Sequence, residues 1–379
     1  MKIAFATDFH LGYSQYGISE REEDFYTQYD LLIDEIIKEE VDVFIELGDI
    51  FDSPKPNPFA MKRFKDGLQK LKNNNIRRLG IIGNHTMVQR KNYYPIDLIF
   101  DDLEIIDNDF LILDNLWIGG VTYKSRARKK TIKQAIDMLY DSAKDYPVKV
   151  LLLHQGLEDV GIGFDFTYED LEIERFDFIF LGHIHKRMES KYKNTTIHYV
   201  GSLNSCNTLE LTDELENGKG YTLFDTETLQ IQTKSLPPIR YYLEYNITDD
   251  EFNDEWINET IKLLKQYPTK PIVQLNIESD DAKRVYERVD LLQDYCISIR
   301  HKLLPTKSQK EEIEMNFPNG KLPPVEVMIK KALNEKYKEE WVGDFAVELM
   351  KRVSNGNKKG AKELADDMYN QHFKRRIDK

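Results

Sequence analysis

Cysteine is nearly absent from this sequence: Cys206 and Cys296 are the two in 379 residues, and no spacing pattern links them. That count argues against a disulfide scaffold and for a reducing compartment. No apolar run approaches the length a bilayer span needs. The first strand runs straight into Asp8, leaving no room for a signal-peptide core. Together these absences predict a cytoplasmic protein with no membrane partner. Basic charge is also short: the net charge is -13, which argues against non-specific wrapping of nucleic acid. A local basic groove stays possible, and carboxylates that hold metals add to the acidic count. Internal repeats are lacking. At 41% hydrophobic and 11% aromatic, the chain can bury a sizeable core, and its length suits two or three domains.

What is present is a series of chemically loaded strand ends. Residues 3–7 form an apolar run that stops at Asp8-Phe9-His10, and residues 41–47 stop at Gly48-Asp49. Residues 78–82 stop at Gly83-Asn84-His85, and residues 148–153 at His154. Residues 176–181 stop at Gly182-His183-Ile184-His185, and residues 197–200 at Gly201-Ser202. Such runs, ended by Gly or polar residues, read as buried strands. Apolar stripes predict helices over residues 20–39, 60–73 and 129–144, with a further helical stretch near 93–100. Residues 111–113 and 116–121 read as neighbouring strands. Alternating βα units followed by β-rich pairing predict an α/β fold, two layered sheets with helices outside.

From about Pro237 the character changes. Strands at 239–245 and 273–277, with helices at 249–266 and 280–294, read as a small α+β domain. The predicted division is a first domain over 1–236, a second over 237–302, a linker over 303–324 and a helical segment over 325–379. In that last segment Ile329, Ala332, Leu333 and Tyr337 make one stripe, and Leu364, Met368 and Phe373 suggest another. It reads either as a helical hairpin packed on its own protein or as a docking element for a partner.

Five of the eight histidines sit at the strand ends. A lone D-x-H is commonly a surface histidine in a loop; here the number of such ends carries the argument. If the strands share one sheet or two packed sheets, their C-terminal ends meet in one crevice. Carboxylates, imidazoles and one amide suit two hard-to-borderline divalent cations rather than a structural zinc. Asp49 is the natural bridge, since a carboxylate offers two oxygens. Two such cations activate a water for in-line attack at phosphorus. His85, next to Asn84, can face the leaving group as a general acid, or it can orient the ligands.

These five separated motifs, in this order, resemble the calcineurin-like metallophosphoesterase signature. The words His10-Leu11-Gly12-Tyr13, Gly48-Asp49-Ile50-Phe51, Leu153-His154-Gln155-Gly156, Gly182-His183-Ile184-His185-Lys186-Arg187 and Val200-Gly201-Ser202-Leu203 are similar to the nuclease of the double-strand-break repair complex. That is the meiotic-recombination-eleven / SbcD family, and the archaeal type matches best. The resemblance covers residues 1–235 by motif and the remainder by architecture. It implies a manganese held by Asp8, His10, Asp49 and His185, and a second held by Asp49, Asn84, His154 and His183, with His85 as proton donor. It implies a Mn-dependent 3′→5′ exonuclease and single-strand endonuclease, and a capping domain near residues 237–300. It also implies a homodimer formed through nuclease-domain helices near 60–73 and 93–100. The C-terminal helices would bind the coiled coil of an ABC-type ATPase.

Two positions depart from the family pattern. The residue after Asn84-His85 is Thr86 where an acid is common, and Asp52 stands where many relatives carry histidine. Tyr13, Gln15, Tyr16, Arg90, Lys91, Lys186 and Arg187 flank the motifs and are candidate DNA contacts through backbone tracking and base stacking. The basic run over residues 124–130 reads more simply as a solvated loop. A phosphoprotein or cyclic-nucleotide phosphoesterase is the alternative. The segment Ile50-Phe51-Asp52-Ser53 lacks the arginine with which related phosphatases grip a terminal phosphate. That favours diesters. A DNA-end scaffold without catalysis is the third reading, and eight intact site positions speak against it.

Overall fold

The computed structural model describes residues 1–87, 99–161, 163–207, 210, 214, 217–306, 324–354 and 358–372. Two units divide the chain. The first comprises residues 1–244, 259–274 and 292–299; the second comprises 245–258, 275–291 and 300 onward.

Two six-stranded sheets build the first unit. In one, β1 (Lys2–Ala6), β2 (Val43–Glu46), β3 (Arg77–Gly80) and β4 (Glu104–Ile105) run parallel, and β11 (Lys219–Asp225) and β12 (Ile231–Leu236) extend it antiparallel from β1. The other has the order β5 (Asp109–Leu113), β6 (Leu116–Val121), β7 (Val148–His154), β8 (Phe178–Gly182), β10 (Thr195–Tyr199) and β9 (Met188–Tyr192).

Strand alternation sorts the side chains into layers. Ile3, Phe5, Val43 and Ile45 point to the same core as Val150, Leu152 and Phe180 of the second sheet. Phe5 and Phe180 stack there with ring centroids 4.1 Å apart. Ala4, Ala6 and Phe44 face the other way, onto helices α1 (Ser19–Lys38) and α2 (Pro58–Asn73). The second sheet covers its outer face with α3 (Lys129–Ala143), through Ile132, Ile136 and Leu139. The expected layered α/β sandwich is therefore the observed fold. Helix α2 starts where its sequence says it should: Asn57 accepts from the Ala60 amide at 2.9 Å, and Pro58 opens the first turn. The helical stretch expected near residues 93–100 lies mostly outside the described residues.

Strands β9, β11 and β12 were not expected from the sequence. β12 reads Ile-Gln-Thr-Lys-Ser-Leu, which has too few apolar residues to signal a strand. Beyond it, a three-stranded sheet has the order β13 (Tyr242–Thr248), β14 (Ile272–Glu278) and β15 (Ser298–Leu304). Strand β15 runs on to Leu304, two residues into the stretch expected as a linker from residue 303, and Arg300, His301 and Lys302 hide its alternation. Among the described residues the C-terminal segment has three helices, Val325–Tyr337, Glu340–Ser354 and Lys358–His372, where a hairpin was one of the two readings. Lys338 adopts a left-handed conformation (φ 56°) and ends the first of them. Phe373 lies outside the described residues.

One buried histidine ties the two sheets together. His198 on β10 reaches Thr222 of β11 at 3.0 Å and Glu189 of β9 at 3.3 Å. Burial drives its pKa down to about 4, against the pull of Glu189. The native state therefore keeps it neutral below pH 6.5, where the unfolded chain takes up a proton. Stability falls as pH drops from about 6.5 toward 4. Between pH 7 and pH 5 this residue should cost about 2 kcal/mol. Urea unfolding of wild type and His198→Gln at both pH values checks this: the variant's loss should be smaller by about that amount.

Candidate metal centre

The parallel strands of both sheets end at one place. Asp8 and His10 follow β1, Asp49 follows β2, and Asn84 and His85 follow β3. His154 closes β7, and His183 and His185 follow β8. The loops after β1 and β2 are zipped together: the Asp8 amide donates to the Gly48 carbonyl at 3.0 Å, and the His10 amide to the Asp49 carbonyl at 3.1 Å. Register places His154 beside Gly182. A Cβ on Gly182 would overlap Thr7 Oγ1, and one on Gly83 would overlap Asp49 Oδ1. Only glycine leaves room for the neighbouring side chains.

Four of the expected ligands hold left-handed backbone: Asp8 (φ 53°), His10 (φ 46°), Asp49 (φ 54°) and His183 (φ 79°). Such positions cost roughly 1–3 kcal/mol each in non-glycine residues. The strands and zipped loops hold them there, and each side chain turns into the same space. Asp8, His10 and Asp49 bring one donor atom each within 4.8 Å of one another, and so do Asp49, His154 and His183. Asp49 belongs to both groups.

Hydrogen bonds fix which atoms face inward. His154 Nδ1 lies 2.6 Å from the Leu47 carbonyl, which can only accept, so Nδ1 carries the proton. Its Nε2 turns inward, 3.1 Å from Asp49 Oδ2 and 3.1 Å from Asn84 Oδ1. His185 Nδ1 donates to Glu210 Oε1 at 3.0 Å, leaving Nε2 inward and 3.1 Å from His10 Nε2. His183 Nδ1 lies 2.7 Å from Asn84 Oδ1. Backing of an imidazole by a carbonyl or carboxylate is the usual support of a metal-ligating histidine.

The electrostatics are tightly balanced. Burial raises the Asp8 carboxyl, against His154 and His185. Burial raises Asp49 too, but His154, His10 and His85 outweigh it and hold that carboxyl below its usual range. Burial lowers His154, yet Asp49 and Asp8 lift it to about 9. Burial carries His10 well below its usual value and His183 down to about 4. Asp8 is fully buried, and its Oδ1 meets no hydrogen-bond donor among the described residues. A largely buried pocket with two carboxylates, four imidazoles and an unsatisfied carboxylate oxygen suits divalent cations.

A family profile of calcineurin-like phosphoesterases matches residues 1–187. Residues 1–187 belong to that family. The chain is similar to three archaeal proteins, each described as "DNA double-strand break repair protein Mre11". That of Methanocaldococcus jannaschii is 27% identical, over 99% of this chain and 100% of the relative. That of Methanococcus maripaludis is 27% identical over 85% of this chain and 91% of the relative. The Sulfurisphaera tokodaii protein is 29% identical over 73% of each.

Within this phosphoesterase site, His85 holds a place of its own. Its ring is 39% exposed and packs edge-on against His10, with centroids 4.6 Å apart. Its Nδ1 lies 2.8 Å from the Asp52 carbonyl, and its Nε2 lies 4.0 Å from Asp49 Oδ2. The two departures from the family pattern are thus connected. Thr86 is buried and gives the ring no acid, while Asp52 backs it through its main chain.

Other expectations need revision. Gln15 is fully buried: it donates to the Cys206 carbonyl and accepts from Arg21 and Tyr242. Arg187 is buried too and bonds the carbonyls of Val200, Asn217 and Lys234. Both side chains are committed to the fold, which removes them from the DNA candidates. Tyr13 spends its hydroxyl on the Cys206 carbonyl at 3.2 Å. Tyr16 and Lys186 are exposed, and Arg90 and Lys91 lie outside the described residues. Sequence reasoning missed Glu210, Cys206 and the role of Asp52. None ends an apolar run, so no pattern announced them.

Proposed function

We propose that this protein is a Mn-dependent DNA nuclease, a 3′→5′ exonuclease and single-strand endonuclease that processes ends in double-strand-break repair. The observation that carries the reading is the meeting of seven ligand-type side chains and His85 at the strand ends of two sheets. The names of the Mre11 relatives, matched over 73% to 99% of this chain, support DNA as the substrate.

One cation would be held by Asp8, His10, Asp49 and His185, and the other by Asp49, Asn84, His154 and His183. When bound, a pair of manganese ions supplies an activated water and neutralises phosphate charge. Leu47 and Glu210 keep the His154 and His185 rings turned inward. His85, backed by Asp52 and open to solvent on one side, donates a proton to the leaving 3′ oxygen. Lys186 and Tyr16 are exposed and are the remaining candidates for contact with a DNA strand.

Two surfaces support the proposed partners. Ile99 (53% exposed) lines a cavity with Pro58, Met61, Leu68 and Phe100, rimmed by Lys62, Lys65, Asp101 and Asp102, and Phe59 (73%) is exposed on helix α2; this mixed face suits a homodimer. The C-terminal helices line an apolar cavity of about 690 Å³ with Leu333, Tyr337, Trp341, Phe345, Met368 and Tyr369. Its shape and chemistry suit a helix of a coiled-coil ABC-type ATPase. Removing residues 325–379 should leave manganese-dependent cutting intact and abolish ATPase association. Co-purification of the truncated chain with the ATPase would refute the docking role.

The deciding assay offers an end-labelled duplex and a phosphopeptide, each with manganese or magnesium. Nucleotide release from 3′ ends with manganese is the expected result. Turnover of the phosphopeptide alone would overturn the reading.

A further inference from the structure

Cys206 stands beside His10 and His185, two of the residues of one expected metal position. Its sulfur, one His10 nitrogen and one His185 nitrogen lie within 4.8 Å of one another. The same two histidines flank Asp8 Oδ1, which is fully buried and without a hydrogen-bond donor among the described residues. That oxygen is 3.8 Å from His10 Nε2 and 3.7 Å from His185 Nε2. A buried anionic oxygen with two imidazole nitrogens around it and no donor points to a cation there.

The loop that carries Cys206 is fixed at both ends of its peptide units. Its amide donates to Glu210 Oε2 at 3.0 Å, while the other oxygen of that carboxylate accepts from His185 Nδ1 at 3.0 Å. Its carbonyl accepts from Gln15 Nε2 at 2.9 Å and Tyr13 Oη at 3.2 Å. One carboxylate thus sets both the His185 ring and the Cys206 backbone.

We infer that Cys206 serves, as a thiolate, as a further ligand of the cation held by Asp8, His10 and His185. The inference rests on the metal-centre reading above. Binding releases the thiol proton to solvent and places a soft sulfur among harder donors. The two cation positions then differ in taste. The one with Cys206 favours thiophilic ions such as zinc and cobalt, and the one with Asn84, His154 and His183 does not gain from sulfur. A zinc ion would compete for the first position with an advantage that manganese lacks.

The test uses cobalt and zinc with the full chain stripped of metal. Cobalt should give visible ligand-field bands and a near-ultraviolet thiolate-to-cobalt band. Cys206→Ser should keep the former and lose the latter, and Cys296→Ser should keep both. Zinc affinity at the tighter-responding position should fall roughly 100-fold in Cys206→Ser, with manganese affinity nearly unchanged. In the unmutated chain, zinc should protect Cys206 from alkylation, read by mass spectrometry, so the result does not depend on the variant folding. Ligand-field bands without the thiolate band, or full alkylation of Cys206 with zinc bound, would overturn the inference while sparing the metal centre. Absence of any cobalt spectrum would overturn both.

Discussion

Replacing His85 by alanine is expected to lower DNA cleavage by roughly 10²–10⁴-fold while manganese stays bound. The ring lies at the solvent edge of the pocket, with Nδ1 held by the Asp52 carbonyl at 2.8 Å. That contact leaves Nε2 to carry a proton toward a leaving group. Alkoxide departure needs that proton; a nitrophenolate does not. The variant should therefore recover most of its rate on a thymidine p-nitrophenyl phosphodiester. Manganese titration with both rate assays checks this. A wild-type rate on DNA would end the donor role, and loss of manganese together with cutting would make His85 a ligand instead.

Asp49→Asn should be more damaging still. Asp49 belongs to both ligand groups, its Oδ2 is 3.1 Å from His154 Nε2, and its Oδ1 accepts the His85 amide at 2.8 Å. Asparagine keeps the shape and removes the charge that two cations would share. Loss of transition-state charge neutralisation worth several kcal/mol corresponds to about three decades or more in rate. Manganese stoichiometry by elemental analysis should fall below two per chain. Two tightly bound equivalents with wild-type cutting would contradict a bridging role.

The sequence made the strand ends legible because each motif follows an apolar run that only a buried strand explains. Residues 3–7 and 148–153 are such runs, and the residues that follow them, Asp8 and His154, reach the pocket, as expected for parallel strands in two layered sheets. The left-handed backbone at Asp8, His10, Asp49 and His183 was not legible, since no periodicity marks a single strained residue. Supporting groups from loops escaped for a similar reason. Glu210 and Cys206 follow β10 by several residues, and nothing local says that they return to His185. Gln15 and Arg187 show the opposite error: polar side chains next to a motif resemble ligand contacts in sequence, yet burial commits both to the fold. Edge strands such as β12 carry little apolar alternation because one side faces water.

Diffraction from a manganese-soaked crystal, recorded at the manganese absorption edge, tests the centre most directly. Two anomalous peaks on either side of the Asp49 carboxylate, one against His10 and His185 and the other against His154 and His183, are the predicted result. A single peak elsewhere, or side chains turned apart around an empty crevice, would contradict the account.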